Sequence, residues 1–169
     1  WPRFGASARP IVDNLHKRCY RRLFQATDEV RHMANAIYPK YKEAVLAGAA
    51  NSAINGSGNT GLYAALIDLG TYTYSPAHEF YSSLSGIVGT DQEITSPTLV
   101  GGLIDGNNVT LPAVSGATVE AIVIYRKNAG ANATWRLVAF LDTGIGGLPV
   151  TPNGGDLNIN WNASGIVQL

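Results

Sequence analysis

Apolar positions recur every four residues near the start of the chain, at Ile11, Leu15, Cys19 and Leu23, and continue after one slip at Val30, Ala34, Ile37 and Tyr41. This spacing predicts an amphipathic helix. Pro10 stands where a helix start tolerates proline, whereas Pro39 would break or kink the helix. One helix over roughly 11–37 and a short one over roughly 40–47, ended by Gly48, are therefore expected. Residues 49–60, AANSAINGSGNT, are small and polar and suit a linker.

Beyond Gly61 the period becomes two-fold. GLYAALID (61–68) is apolar on both faces, as a buried strand is, and Thr71–Tyr74 could extend it past Gly70. Ser75-Pro76 offers a cap and first turn for a short helix over 75–84. A strand is expected around Ile87–Ile94, followed by Thr98–Ile104 and Asn108–Leu111. The clearest hairpin joins VEAIVIYR (119–126) to TWRLVAFLD (134–142) through the polar loop KNAGANA. Both strands are apolar on both faces in the middle and charged towards the ends, which places them at a sheet's centre. Leu157, Ile159 and Trp161 alternate with asparagines, so that strand is one-sided, and Ile166–Leu169 closes the chain. The fold class is thus mainly β: an antiparallel β-sandwich or barrel of about seven or eight strands with an N-terminal α-helical arm. The expected organisation is a basic helical arm over 1–48, a linker over 49–60 and a β-sandwich body over 61–169.

Composition sharpens this picture. Apolar residues make up 46% of the 169 and charged residues only 14%, which excludes the charge-rich, apolar-poor class of disordered chains. So few charges suggest a surface partly covered by partners. No apolar run reaches the roughly 18–20 residues of a membrane span, so no membrane association is expected. The formal charge of zero hides an asymmetry: residues 1–32 hold seven of the twelve Lys/Arg and three of the twelve Asp/Glu, a net of +4 against −4 for the remainder. Lys17, Arg18, Arg21, Arg22 and Arg31 lie off the apolar stripe and are the candidate partner-docking residues. They suit a negatively charged surface, either nucleic acid or a neighbouring subunit, and they equally suit a solvated helix face.

Candidate chemistry is sparse. Phe140 and Leu141 lead into Asp142-Thr143-Gly144, the way an aspartic protease loop begins. Such an enzyme needs two carboxylates sharing one proton, and no second Asp-Thr/Ser-Gly occurs, so only a dimer could supply it. Downstream stands the turn-rich GGLPVTPNGGD rather than an apolar strand, and Asp and Gly after a strand also simply form a turn. His16, His32 and His78 have no metal-ligand spacing, and the single Cys19 excludes a disulfide framework or a cysteine zinc site. No cofactor is expected, and the chain is read as a non-enzyme. Its aromatic residues, Trp135 and Trp161 among them, fit core and interface packing or a platform for sugar.

Four stretches carry a resemblance: MANAIYPKYKEAVLAG (33–48), YTYSPAHEF (72–80), VEAIVIYR (119–126), and RLVAFLDT (136–143) with the following GLPVTPNGGD (147–156). They resemble a family of small structural proteins encoded among the head and tail genes of tailed bacteriophages, and together they sample nearly all of residues 33–169. These relatives usually begin near the equivalent of Met33, so the resemblance says nothing of residues 1–32. It implies a virion structural protein located in the capsid or head-tail region, with the major capsid protein or other virion subunits as partners. A capsid decoration or cement protein, assembled as a homo-oligomer, is the leading expectation. A neck or tail protein and a glycan- or receptor-binding virion module are the alternatives, and the basic arm could contact nucleic acid.

Overall fold

The computed structural model describes residues 35–55 and 60–169. Among these residues ten strands are arranged in three antiparallel sheets. The elements run β1 (Ala36–Ile37), α1 (Pro39–Leu46), β2 (Leu62–Ile67), β3 (Ile87–Ile94), β4 (Thr98–Val100), β5 (Leu103–Asp105), β6 (Val109–Leu111), β7 (Ala121–Arg126), β8 (Arg136–Leu141), β9 (Leu157–Ile159) and β10 (Val167–Gln168). The largest sheet has the order β1-β8-β7-β2-β3, a second has β10-β5-β4, and β6 pairs with β9. The protein is thus mainly β, with antiparallel sheets and one α-helix among the described residues, and none of the sheets closes on itself.

The two-sided apolar strands take the centre, as their composition requires. β2 and β7 pair over six positions, Leu62 with Arg126 through Ile67 with Ala121. Side chains alternate across a strand, so Tyr63, Ala65 and Ile67 share a face with Tyr125, Val123 and Ala121. Leu62, Ala64 and Leu66 share the opposite face with Arg126, Ile124 and Ile122. All six residues of β7 are buried. On the first face, Phe140 of β8 receives the rings of Tyr72 and Tyr74, with centroids at 6.3 and 5.2 Å. On the second, Val88 and Ile94, partners of Leu66 and Leu62, meet the smaller sheets: β3 packs against β6, and Gly106 comes up against Ile94.

Several expectations are corrected. The first helix is expected to run to residue 37, but Ala36 and Ile37 are strand, because they pair with Phe140 and Ala139 along β8 and are buried there. Residues 36–46, assigned to the arm, therefore belong to the largest sheet and its covering helix; residues 1–34 of the arm lie outside the described residues. The short helix expected over roughly 40–47 is α1, with Pro39 in its first turn. The helix ends in two bonds, Gly48 N–H to Val45 O and Ala49 N–H to Ala44 O, which satisfy two of its last carbonyls. Gly48, at φ +60°, supplies the left-handed conformation this ending needs.

The described part of the linker, residues 49–55, is tied down. The Arg126 guanidinium donates to Ala53 O, that of Arg136 donates to Ala50 O at 3.0 Å, and the Tyr41 hydroxyl donates to Ser52 O at 2.8 Å. No α-helix forms over 75–84. Instead Glu79–Tyr81 joins the outer edge of β8 where β1 leaves it, with Leu137 N–H to Glu79 O and Tyr81 N–H to Trp135 O, followed by a 3₁₀ turn at Tyr81–Ser83. This pairing outweighs the local helix signal. Nor is Thr71–Tyr74 a strand; it is part of the segment that covers Phe140. Thr98–Ile104 is a hairpin, because Gly101 and Gly102, both at positive φ, make the two-residue turn between Val100 and Leu103.

The covering segment 68–86 is closed by Asp68 N–H to Gly86 O at 2.8 Å. Gly86 sits at φ +62°, and a Cβ there would lie 2.7 Å from Asp68 O and collide with the Thr71 hydroxyl. Gly86→Ala should therefore cost about 2–3 kcal/mol, more than the left-handed penalty alone, when chemical unfolding is compared with the parent.

Candidate functional site

The sequence-based docking residues Lys17, Arg18, Arg21, Arg22 and Arg31 lie outside the described residues. Asp142-Thr143-Gly144 is within them, at the end of β8, and it closes the strand. Asn35 and Asp142 exchange bonds: Asn35 N–H donates to Asp142 Oδ1 at 3.4 Å, and Asn35 Oδ1 accepts from the N–H groups of Asp142 and Thr143 at 3.2 and 3.3 Å. Gly144 follows at φ +73°. The aspartate thus ties the entry to β1 to the exit from β8.

His78 ends a hydrogen-bonded chain that starts in the core. The Tyr38 hydroxyl, fully buried, bonds that of Tyr72 at 2.9 Å, and Tyr72 bonds His78 Nδ1 at 2.9 Å. With Nδ1 unprotonated, Tyr38 donates to Tyr72 and Tyr72 donates to the imidazole, so every proton has an acceptor. A proton on Nδ1 would reverse the chain and leave the Tyr38 hydroxyl hydrogen buried without a partner. Burial likewise holds the His78 pKa below its ordinary value.

A second cluster surrounds Asp91 on β3. Tyr81 and Tyr125 both donate to its Oδ2, at 2.7 and 2.9 Å, while Oδ1 is buried without a hydrogen-bond partner. The rings of Tyr63, Tyr81 and Trp135 pack around Tyr125 with centroids 4.6–5.8 Å away. Lys127 Nζ stands 4.7 Å from the Tyr63 ring centre and 5.1 Å from that of Trp135. Desolvation raises the Asp91 pKa, and the two tyrosine bonds and the nearby Lys127 only partly oppose it. Nothing in the sequence pointed to this carboxylate, because Tyr81 and Tyr125 reach it only in the folded sheet.

The feature that best fits a contact function is the β10-β5-β4 sheet. β4 is an outer strand, all three of its residues are exposed, and Leu99 and Val100 are 49% and 74% accessible. Leu169, 41% accessible, is fastened beside the hairpin turn by its N–H to Gly102 O, and Gln168 Nε2 donates to Gly101 O. From Thr95 to Ile104 the chain carries no charge. An uncharged apolar outer strand with unpaired backbone groups is a template for association. Sequence reasoning reads Thr98–Ile104 as one strand and misses this hairpin, although Gly101-Gly102 between two apolar runs is a signal that could have found it.

Elsewhere, a cavity of about 230 Å³ lies between the Asp142 turn and the segment after β9, and Asn35, Thr143, Asn160, Trp161 and Asn162 are among its lining residues. Among the described residues, no group of three His, Cys, Asp or Glu is placed to hold a metal, and no helix is long and apolar enough to cross a membrane. The chain matches no known family model and no curated protein.

Two measurements test these clusters. As pH falls below about 6.5, the unfolded imidazole takes up a proton more readily than the folded one, so His78 withdraws stability in that window. The thermal midpoint should drop between pH 7.5 and 5.5 by more in the parent than in His78→Gln. Asp91 has the opposite sign: its raised pKa means that ionisation costs stability as pH rises through the folded value. Asp91→Asn should therefore be no less stable than the parent at pH 7. Asp91→Ala, which strands two tyrosine hydroxyls, should lose about 1–3 kcal/mol in denaturant titration.

Proposed function

We propose that the protein is a structural subunit of a tailed-bacteriophage virion: a β-sandwich decoration or cement protein that reinforces the head by contacts between subunits. The resemblance over residues 33–169 supports the virion setting. The exposed, uncharged β4 edge is the observation that carries the contact role. Two copies can bring this edge together without like-charge repulsion, so a homo-oligomer is its occupant. Main-chain pairing would extend the sheet, and Leu99, Val100 and Leu169 would leave water at about 25 cal/mol per Å². Each contact is small, and repetition over a symmetric lattice makes the sum resist rupture.

The role is one of burial rather than turnover. Asp142, the residue most suggestive of catalysis, supports this reading by its engagement with the backbone of Asn35. The basic residues Lys17, Arg18, Arg21, Arg22 and Arg31 would add an electrostatic anchor on a negative surface of the major capsid protein, of another virion subunit or of packaged DNA. Neck or tail placement would use the same edge.

Val100→Lys provides the test. Its side chain is exposed, so the thermal midpoint should stay near that of the parent, within about 0.5 kcal/mol in stability. Sedimentation of the full chain should shift towards monomer, and occupancy of the variant on purified particles should fall at least about ten-fold, the effect of ~1.4 kcal/mol per contact. Unchanged sedimentation together with unchanged occupancy would exclude β4 as the contact edge.

A further inference from the structure

We propose that the cavity between the Asp142 turn and the segment after β9 binds a single neutral sugar ring, making the body a glycan-contacting module as well as a subunit. This rests on the cavity alone and does not depend on the β4 contact.

Size comes first. At about 230 Å³ the space is smaller than the ~300–1,000 Å³ clefts that hold drug-sized ligands, and one pyranose is the matching scale. Charge narrows the class further. None of the lining residues is ionisable, so phosphates, nucleotides, cations and acidic sugars would find no counter-charge. Three asparagines and Thr143 are the residues of the lining with polar side chains besides Trp161. Amides both donate and accept, as sugar hydroxyls do.

The hydrogen-bond network fixes which groups remain for a ligand. Asn35 Oδ1 is taken by the N–H groups of Asp142 and Thr143, which leaves its NH₂ to donate. Asn162 Oδ1 accepts from Ser164 N–H, which again leaves an NH₂. Asn160 is exposed and lies between the turn and the indole in sequence, and its amide can serve as donor and acceptor. Trp161 is held twice: its Nε1–H donates to Asn107 O at 2.9 Å and its backbone N–H donates to Asn108 Oδ1 at 3.0 Å. Its polar edge is therefore engaged by Asn107 and its backbone by Asn108, and Trp161 lines the cavity, where an aromatic ring would supply apolar surface to a ligand. Leu141, Ile145 and Ile166 complete the apolar side. Donors, acceptors and a fixed aromatic ring around a small uncharged space fit a hexose better than an apolar ligand, which would strand the amides.

Saturation-transfer NMR on the full chain, with glucose, galactose, mannose and N-acetylglucosamine added singly and glycerol as a control, tests the proposal. The expected result is saturable binding of at least one sugar and none of glycerol. Asn160→Ala, at an exposed position, should keep the parent's thermal midpoint and weaken that binding about five-fold or more, the effect of one lost hydrogen bond. Trp161→Phe should weaken it while retaining part of the ring contact. The proposal is overturned if no sugar saturates, if glycerol binds equally well, or if neither substitution changes the affinity. Any of these outcomes leaves the particle-occupancy test of Val100→Lys unaffected.

Discussion

The structure depends on the requirement that β7 be dry on both faces and hydrogen-bonded on both edges. Its six residues are buried, and its backbone pairs with β2 on one side and β8 on the other. A strand of this kind cannot face water with either side chain row, so two separate covers are needed. The segment between β2 and β3 supplies one, with Tyr72 and Tyr74 against Phe140. The smaller sheets supply the other, through the packing of β3 on β6. Even the charged end of β7 follows the rule. Arg126, largely buried beside Arg136, donates to backbone carbonyls, and this draws the 50–53 loop onto the sheet.

How much of this was legible depended on whether the local signal and the tertiary context agreed. The β7–β8 hairpin could be read because two apolar, β-branched runs flank a polar loop, and nothing elsewhere competes for them. α1 was readable from its period and from Gly48. Ala36–Ile37 was not, because Ile37 continues a helical spacing by position alone while the free edge of β8 takes its backbone. Ser75-Pro76 carried an authentic start signal, yet Glu79–Tyr81 found partners in Trp135 and Leu137 that no local pattern announces. The small, polar composition of residues 49–55 resembled a free linker; the two arginines that fasten them lie more than seventy residues away.

The functional surfaces divide in the same way. The turn character of Asp142 could be anticipated from its glycine and from the strand before it, although its reciprocal partner Asn35 could not. Asp91 and its tyrosines come together only through the sheet register. The exposed edges also differ in their protection. β3 carries Asp91, Glu93 and a glycine at positive φ, and the outer side of β8 is covered by residues 36–38 and 79–81. Such devices blunt unwanted strand pairing. β4 has neither charge nor cover, and this is the physical basis for proposing a contact there.

The entry to the sheet has a mechanical consequence. β1 is held to β8 by two register pairs and by the exchange between Asn35 and Asp142, whereas β2 and β7 are joined over six. Tension reaching the chain ahead of Asn35 would meet this short seam first. Peeling two residues is far easier than parting the central strands, so β1 would act as a fuse that yields while the core keeps its shape.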